Sequence, residues 1–120
     1  MPHSSTSIWI HASWTTWQKL PLITPGIKDR IYKYIFQEFI SCGCIAKFIN
    51  GPPNEVHCLF LMNPKKSSDE IVKMVKGATS HRINQEDLAP EKFAWQKGYN
   101  AASVCESQLE KIIRKISKMQ

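Results

Sequence analysis

The apolar residues of this chain change their spacing several times, and that change restricts the possible folds more than any other feature. From residue 55 to 62 the period is two: Val56, Cys58, Phe60 and Met62 alternate with Glu55, His57, Leu59 and Leu61. Such alternation fits a strand with one face on a core. Earlier, Ile27, Ile31, Ile35 and Phe39 recur every four residues. Tyr32, Phe36 and Ile40 widen the stripe, and Lys28, Asp29, Lys33 and Gln37 take the opposite side. This pattern predicts an amphipathic helix of about four turns. Thr24-Pro25 predicts its start, with Thr24 as N-cap and Pro25 in the first helical position. Gly43 is the expected left-handed cap at its end.

The remaining segments extend the alternation. The opening run Ile8-Trp9-Ile10-His11-Ala12-Ser13-Trp14 is β-branched and aromatic, which suits a strand. Residues 44–50 read as a second strand, and Asn50-Gly51-Pro52-Pro53-Asn54 as a turn. Ser67-x-x-Glu70 is a capping box ahead of a helix carrying Ile71, Met74, Val75 and Ala78 on one face. A polar loop spans 84–92, and residues 93–104 hold a strand or two broken at Gly98. Ser107-x-x-Glu110 is expected to open a last helix with Leu109, Ile112, Ile113 and Ile116 on one side. The order is β-α-β-β-α-β-α. Its first six elements are those of a ferredoxin-like α+β fold, an antiparallel sheet with helices on one face, and the seventh is an extra C-terminal helix. At 120 residues the whole chain, 1–120, is expected to form one domain.

Composition narrows the function classes. Hydrophobic residues make up 42% of the chain, which excludes wholesale disorder. No apolar run is long enough to span a membrane, and Met1-Pro2-His3-Ser4-Ser5 has no basic, apolar secretory start, so a cytoplasmic location is expected. Cys42-Gly43-Cys44 is too tight for a four-cysteine zinc site and has no answering pair. Cys58 and Cys105 read as small hydrophobes, and free thiols are expected throughout. Sixteen basic residues against ten acidic give a net charge of +6, which suits a polyanionic partner.

Glu55 and His57 lie two apart on one strand and so share a face, where a carboxylate and an imidazole can hold a divalent cation. Two ordinary polar residues on a half-exposed strand would have the same spacing.

The residues around this pair are more specific. Asn50-Gly51-Pro52-Pro53-Asn54-Glu55-Val56-His57-Cys58-Leu59-Phe60 resembles the Asn-Gly-x-Pro-Asp-His-x-His signature of the small single-strand tyrosine transposases of the insertion-sequence two-hundred type, in the HUH-nuclease superfamily. REP-associated tyrosine transposases are close relatives of that family. The block Phe93-Ala94-Trp95-Gln96-Lys97-Gly98-Tyr99-Asn100-Ala101-Ala102-Ser103-Val104, the segment Met74-Val75-Lys76-Gly77-Ala78-Thr79-Ser80, and Trp9, His11 and Trp14 are also similar. The resemblance runs from about residue 8 to 118 and implies a ferredoxin-like, bacterial, mobile-element protein. It further implies a site in which two histidines and a glutamine hold Mg²⁺ or Mn²⁺, and a helical tyrosine attacks a phosphate of single-stranded DNA. A homodimer that binds hairpin DNA is implied as well.

Carried over residue by residue, the site is degenerate. His57 matches the second metal histidine, and Glu55 replaces the first while remaining an oxygen ligand. The nucleophile position falls on Lys115, whose ammonium cannot form a phosphotyrosine link. The glutamine position falls on Met119, a soft thioether, with Gln120 one residue beyond, about 100° round the helix. Tyr99 is the fallback nucleophile, although the family also has a structural tyrosine in that strand block.

The expected DNA contacts are Lys65, Lys66, Lys73, Lys76 and Arg82 near the second helix, and Lys111, Arg114, Lys115 and Lys118 on the last. Trp14, Trp17 and Trp95 are candidate stacking platforms, with core packing as their alternative role. The expectation is thus a transposase-family protein that binds single-stranded or hairpin DNA with impaired chemistry. The alternative is a non-catalytic ferredoxin-like interaction or scaffold protein that does not bind DNA.

Overall fold

The computed structural model describes residues 7–120, so the reading of Met1–Ser5 lies outside the described residues. Four strands are present: β1 (Trp9–Thr15), β2 (Ile45–Asn50), β3 (Glu55–Leu61) and β4 (Asn100–Val104). The α-helices are α1 (Lys28–Ser41), α2 (Ser68–Gln85) and α3 (Leu109–Ser117). The sheet order is β2-β3-β1-β4 and every pairing is antiparallel, as the split arrangement requires.

One face of the sheet carries the main core. Ile10, Ala12 and Trp14 of β1 meet Val56, Cys58 and Phe60 of β3, and Ile31, Ile35 and Phe39 of α1 pack with Ile71, Val72 and Val75 of α2 on the same cluster. Burying each of the larger side chains contributes about 1.5–3 kcal/mol. The opposite face holds Trp9, His11, Ser13, Glu55, His57 and Leu59, since strand residues alternate. Leu59 is fully buried there although it lies outside the main cluster, as do the buried Leu109 and Ile116 of α3. α3 therefore covers part of this second face, in contact with β2.

Three helix or strand starts differ from expectation. α1 begins at Lys28 with Ile27 as N-cap, because Thr24 uses its backbone carbonyl to accept from Ile27 and Lys28 in a preceding turn and its side chain caps nothing. The Ser107-x-x-Glu110 box does not form: residues 106–108 make a 3-10 turn, and α3 begins at Leu109 without a side-chain cap. Only residues 100–104 of the 93–104 block form a strand in the sheet. Residues 94–96 instead bond to Thr15 and Trp17, with a lone bridge between Thr16 and Trp95. The Ser67–Glu70 capping box forms in full. Cys58 is buried as expected, but Cys105 is exposed, since it follows the edge strand β4, and all four thiols are free.

Candidate functional site

β1 and β3 bring together one constellation on the second face. Ser13 pairs with His57 and Thr15 with Glu55 across the β1–β3 ladder, so His11 and His57 lie on one face in diagonal register. His11 Nε2 is 2.9 Å from His57 Nδ1. On the other side of the same ring, His57 Nε2 is 3.2 Å from Glu55 Oε1. That contact is close without being a hydrogen bond, and Nε2 is buried with no partner. The three side chains form a row, Glu55–His57–His11. Burial, then the neighbouring His57 and Lys115, push the pKa of His11 below its ordinary value.

α3 packs against β2, the strand next to the row. Asn50 lies opposite His57 on β2, and its side-chain Nδ2 donates to the carbonyls of Ile116 and Met119 at 2.9 Å each. The carbonyls at the end of a helix lack intrahelical partners, so this amide ties the last turn of α3 to the strand edge nearest the row. Gly51 makes the turn possible: a Cβ there would sit 2.2 Å from the Glu55 carbonyl oxygen. Sequence reasoning missed both His11 and Asn50. Alternation with Ile10 and Ala12 assigns His11 to the polar face, but the register that puts it beside His57 depends on strand pairing.

The other candidate residues fall in several places. Lys115 is exposed on α3, and Gln120 is exposed beyond the end of that helix, with no hydrogen bond to the row. Tyr99 borders a cleft of about 170 Å³ shared with Glu55, Lys97 and Asn100. Its hydroxyl, however, donates to Asp69 at 2.8 Å, and burial with that bond pushes its pKa up, so the phenol is held protonated. The other two tyrosines are also engaged: Tyr32 donates to the Gly51 carbonyl and Tyr34 to Glu86.

Two of the expected DNA contacts serve the fold. Lys76 Nζ donates to the carbonyls of Gln96 and Gly98, pinning the segment before β4. Arg82 stacks 3.8 Å from the Tyr34 ring centre and bonds Gln37 at 2.7 Å, joining α2 to α1. Lys73 pairs with Asp69 at 3.1 Å on the surface. Lys65 is exposed and Lys66 partly so, in the turn ahead of α2. Lys111, Arg114 and Lys115 of α3, with Lys118 at its C-cap, border a groove of about 600 Å³. Trp14 is in the core and Trp95 packs against its ring edge-on at 5.8 Å, which leaves Trp17 as the exposed platform of the three.

The chain matches the model of a family described as "Transposase IS200 like" over residues 4–118. The chain belongs to the IS200-like transposase family. Its fold is similar to the crystal structure of a candidate transposase from Deinococcus radiodurans R1, at a TM-score of 0.78 and 18% identity, covering 100% of this chain and 96% of that one. It is also similar to a REP-associated tyrosine transposase bound to a REP hairpin, at a TM-score of 0.65 and 10% identity, covering 97% of this chain and 70% of that one. No curated protein matches it in sequence. No helix of the described residues is long and apolar enough to cross a membrane.

The tyrosine transposases of this family are generally metal-dependent, so this transposase-family site can be tested for fit. Among the described residues no group of three His, Cys, Asp or Glu side chains is placed to hold an ion. The Glu55–His57 pair nevertheless fits an ion as two of its ligands. The buried Nε2 has no other partner, and its 3.2 Å separation from Oε1 is near the about 3 Å expected between neighbouring ligands of an octahedral Mg²⁺. Mg²⁺ is commonly held by one or two protein ligands, with water and phosphate completing its shell.

Proposed function

We propose that this transposase-family chain binds single-stranded or hairpin DNA, holds Mg²⁺ or Mn²⁺ at Glu55 and His57, and lacks the tyrosine chemistry of strand transfer. One observation carries the loss of chemistry. The chain has three tyrosines, and each hydroxyl is committed elsewhere: Tyr32 to Gly51, Tyr34 to Glu86 and Tyr99 to Asp69. The helix beside the row offers Lys115 instead, a cation that can hold a phosphate but cannot form the phosphotyrosine bond. A bound divalent ion would polarise a phosphate oxygen. Glu55 and His57 would orient that ion. Lys111, Arg114, Lys115 and Lys118 would neutralise the backbone alongside, and Trp17 offers a ring for an unpaired base.

Pairing with a second copy belongs to the same reading. β2 and β4 are sheet edges, and Phe36, Ile40 and Ile45 are exposed on α1 and β2. Open edges and clustered apolar residues favour association.

Incubating the protein with Mn²⁺ and labelled hairpin DNA tests the central claim. The expected outcome is salt-sensitive binding without a covalent adduct, and Mn²⁺ binding that is lost in Glu55→Gln and His57→Ala. A denaturation-stable adduct refutes the loss of chemistry. No DNA affinity at low salt refutes DNA binding and returns the chain to a scaffold role. Sedimentation as a monomer at micromolar concentration refutes pairing.

A further inference from the structure

Residues 97–99, just ahead of β4, form the wall between two clefts. One, of about 170 Å³, is bordered by Ser13, Glu55 and Asn100, and the other, of about 370 Å³, lies against Asp69, Lys73 and Lys76 of α2. Lys97, Gly98 and Tyr99 line both, so the clefts meet along this wall. Hydrogen bonds fix the wall from two sides. Lys76 Nζ donates to the carbonyls of Gln96 and Gly98 at 2.9 and 2.7 Å, and the Tyr99 hydroxyl donates to Asp69 at 2.8 Å. On the sheet side, the Gln96 N–H donates to the Thr15 carbonyl at 2.8 Å. Gly98 makes the bend at φ 94°, where a side chain would be strained.

The larger cleft has the chemistry of a nucleotide site. Lys73, Lys76 and Lys97 border it with one carboxylate, Asp69, which is already engaged by Lys73 at 3.1 Å and by Tyr99. Lys97 is exposed where the two clefts meet, a place from which an ammonium can reach a phosphate. The bond to Asp69 holds the Tyr99 ring as a fixed side of the cleft, on which a base can stack, and the lysine stems add apolar wall. The volume is at the low end of the about 300–1,000 Å³ of small-ligand sites, which suits a single nucleotide.

We propose that this cleft is a subsite for one unpaired nucleotide of the DNA, its base on the Tyr99 ring and the phosphate leading towards Glu55 at Lys97. The inference rests on the DNA-binding reading above and deepens it. The cations of α3 can neutralise the backbone of a paired or an unpaired strand, whereas a base enters this cleft only when it is unpaired. The cleft is therefore the source of a preference for single strands.

Fluorescence anisotropy at low salt with Mg²⁺ tests this on two labelled hairpins, one blunt and one with short unpaired tails. The wild type is expected to bind the tailed hairpin about 5–150-fold more tightly, the worth of one stacked base. Lys97→Gln is expected to weaken only the tailed hairpin, several-fold, and to lower its salt slope by about 0.7, while Lys97→Arg retains both. Tyr99→Leu is expected to lose the preference and Tyr99→Phe, which keeps the ring, to retain it. In the wild type, 2-aminopurine placed in the tail is expected to be quenched on binding. Equal affinity for the two hairpins overturns the subsite and leaves DNA binding standing, as does a Lys97→Gln variant that weakens both hairpins alike or neither. No binding of either hairpin refutes the DNA reading, and the subsite with it. Lys97 is exposed, so its variants remain informative even if Tyr99→Leu does not fold.

Discussion

At the scale of single residues, the alternation of β3 made Glu55 and His57 neighbours on one face, and the structure keeps them 3.2 Å apart. Their third companion was not readable in the same way. His11 comes from a strand more than forty residues earlier, and its approach to His57 depends on which strands pair and in what register. The contacts that Arg82 and Lys76 make within the fold were unreadable for a related reason: a charged residue on a helix looks the same in sequence whether it meets solvent, a tyrosine ring or a loop carbonyl. Glu86 gives a pH test at this scale. The Tyr34 hydroxyl, followed by Arg82 and Arg30, holds its carboxyl below the ordinary value of 4.5. A lowered carboxylate pKa stabilises the fold above the unfolded value, and that contribution is lost as pH falls through the folded one. Thermal melts of wild type and Glu86→Gln are therefore expected to differ most near neutral pH and to converge below about pH 4.5.

At the scale of elements, the helices and strands follow the apolar periods, and the errors gather at their ends. The box before α2 forms because Ser67 and Glu70 satisfy each other's backbone donors. The same spelling at Ser107 fails, as a 3-10 turn occupies those residues and leaves Gln108 as the N-cap. Gly43 does end α1 in the left-handed region, at φ 76°, and a Cβ there would sit 2.6 Å from Asn63 Nδ2. Gly43→Ala is expected to lose about 1–2 kcal/mol, read as a lower midpoint in urea with an unchanged slope. Asn50 holds α3 through two bonds. Asn50→Ala is expected to cost about 1–3 kcal/mol, and the loss of amide-exchange protection should be concentrated in α3. Uniform loss across the sheet would mean that Asn50 matters to the turn and not to the helix.

At the scale of the whole molecule, the two faces of the sheet divide the work. One buries the apolar side chains of α1 and α2, and the other carries the partly buried histidine row with α3 and its cations alongside. The fold was legible because two periodicities and their order leave few arrangements. The placement of α3 was not, since a short amphipathic helix carries no sign of which surface it will cover. If its cations meet a nucleic-acid backbone, log–log plots of affinity against salt should be steep. Neutralising Lys111, Arg114 and Lys118 together should then flatten the slope by about 2, at roughly 0.7 per phosphate on a single strand. An unchanged slope would move the contact surface elsewhere.

The amide of Asn50 has one mechanical consequence. It is anchored in a strand directly across from His57 while gripping the final turn of α3. Any pull that a bound polyanion exerted on the lysines of that helix would pass in part through this grip, beside the buried Leu109 and Ile116, to the rung of the ladder that holds the imidazole. Loading at the rim and alignment at the centre would thereby be geared together, and cutting that linkage should loosen the gearing.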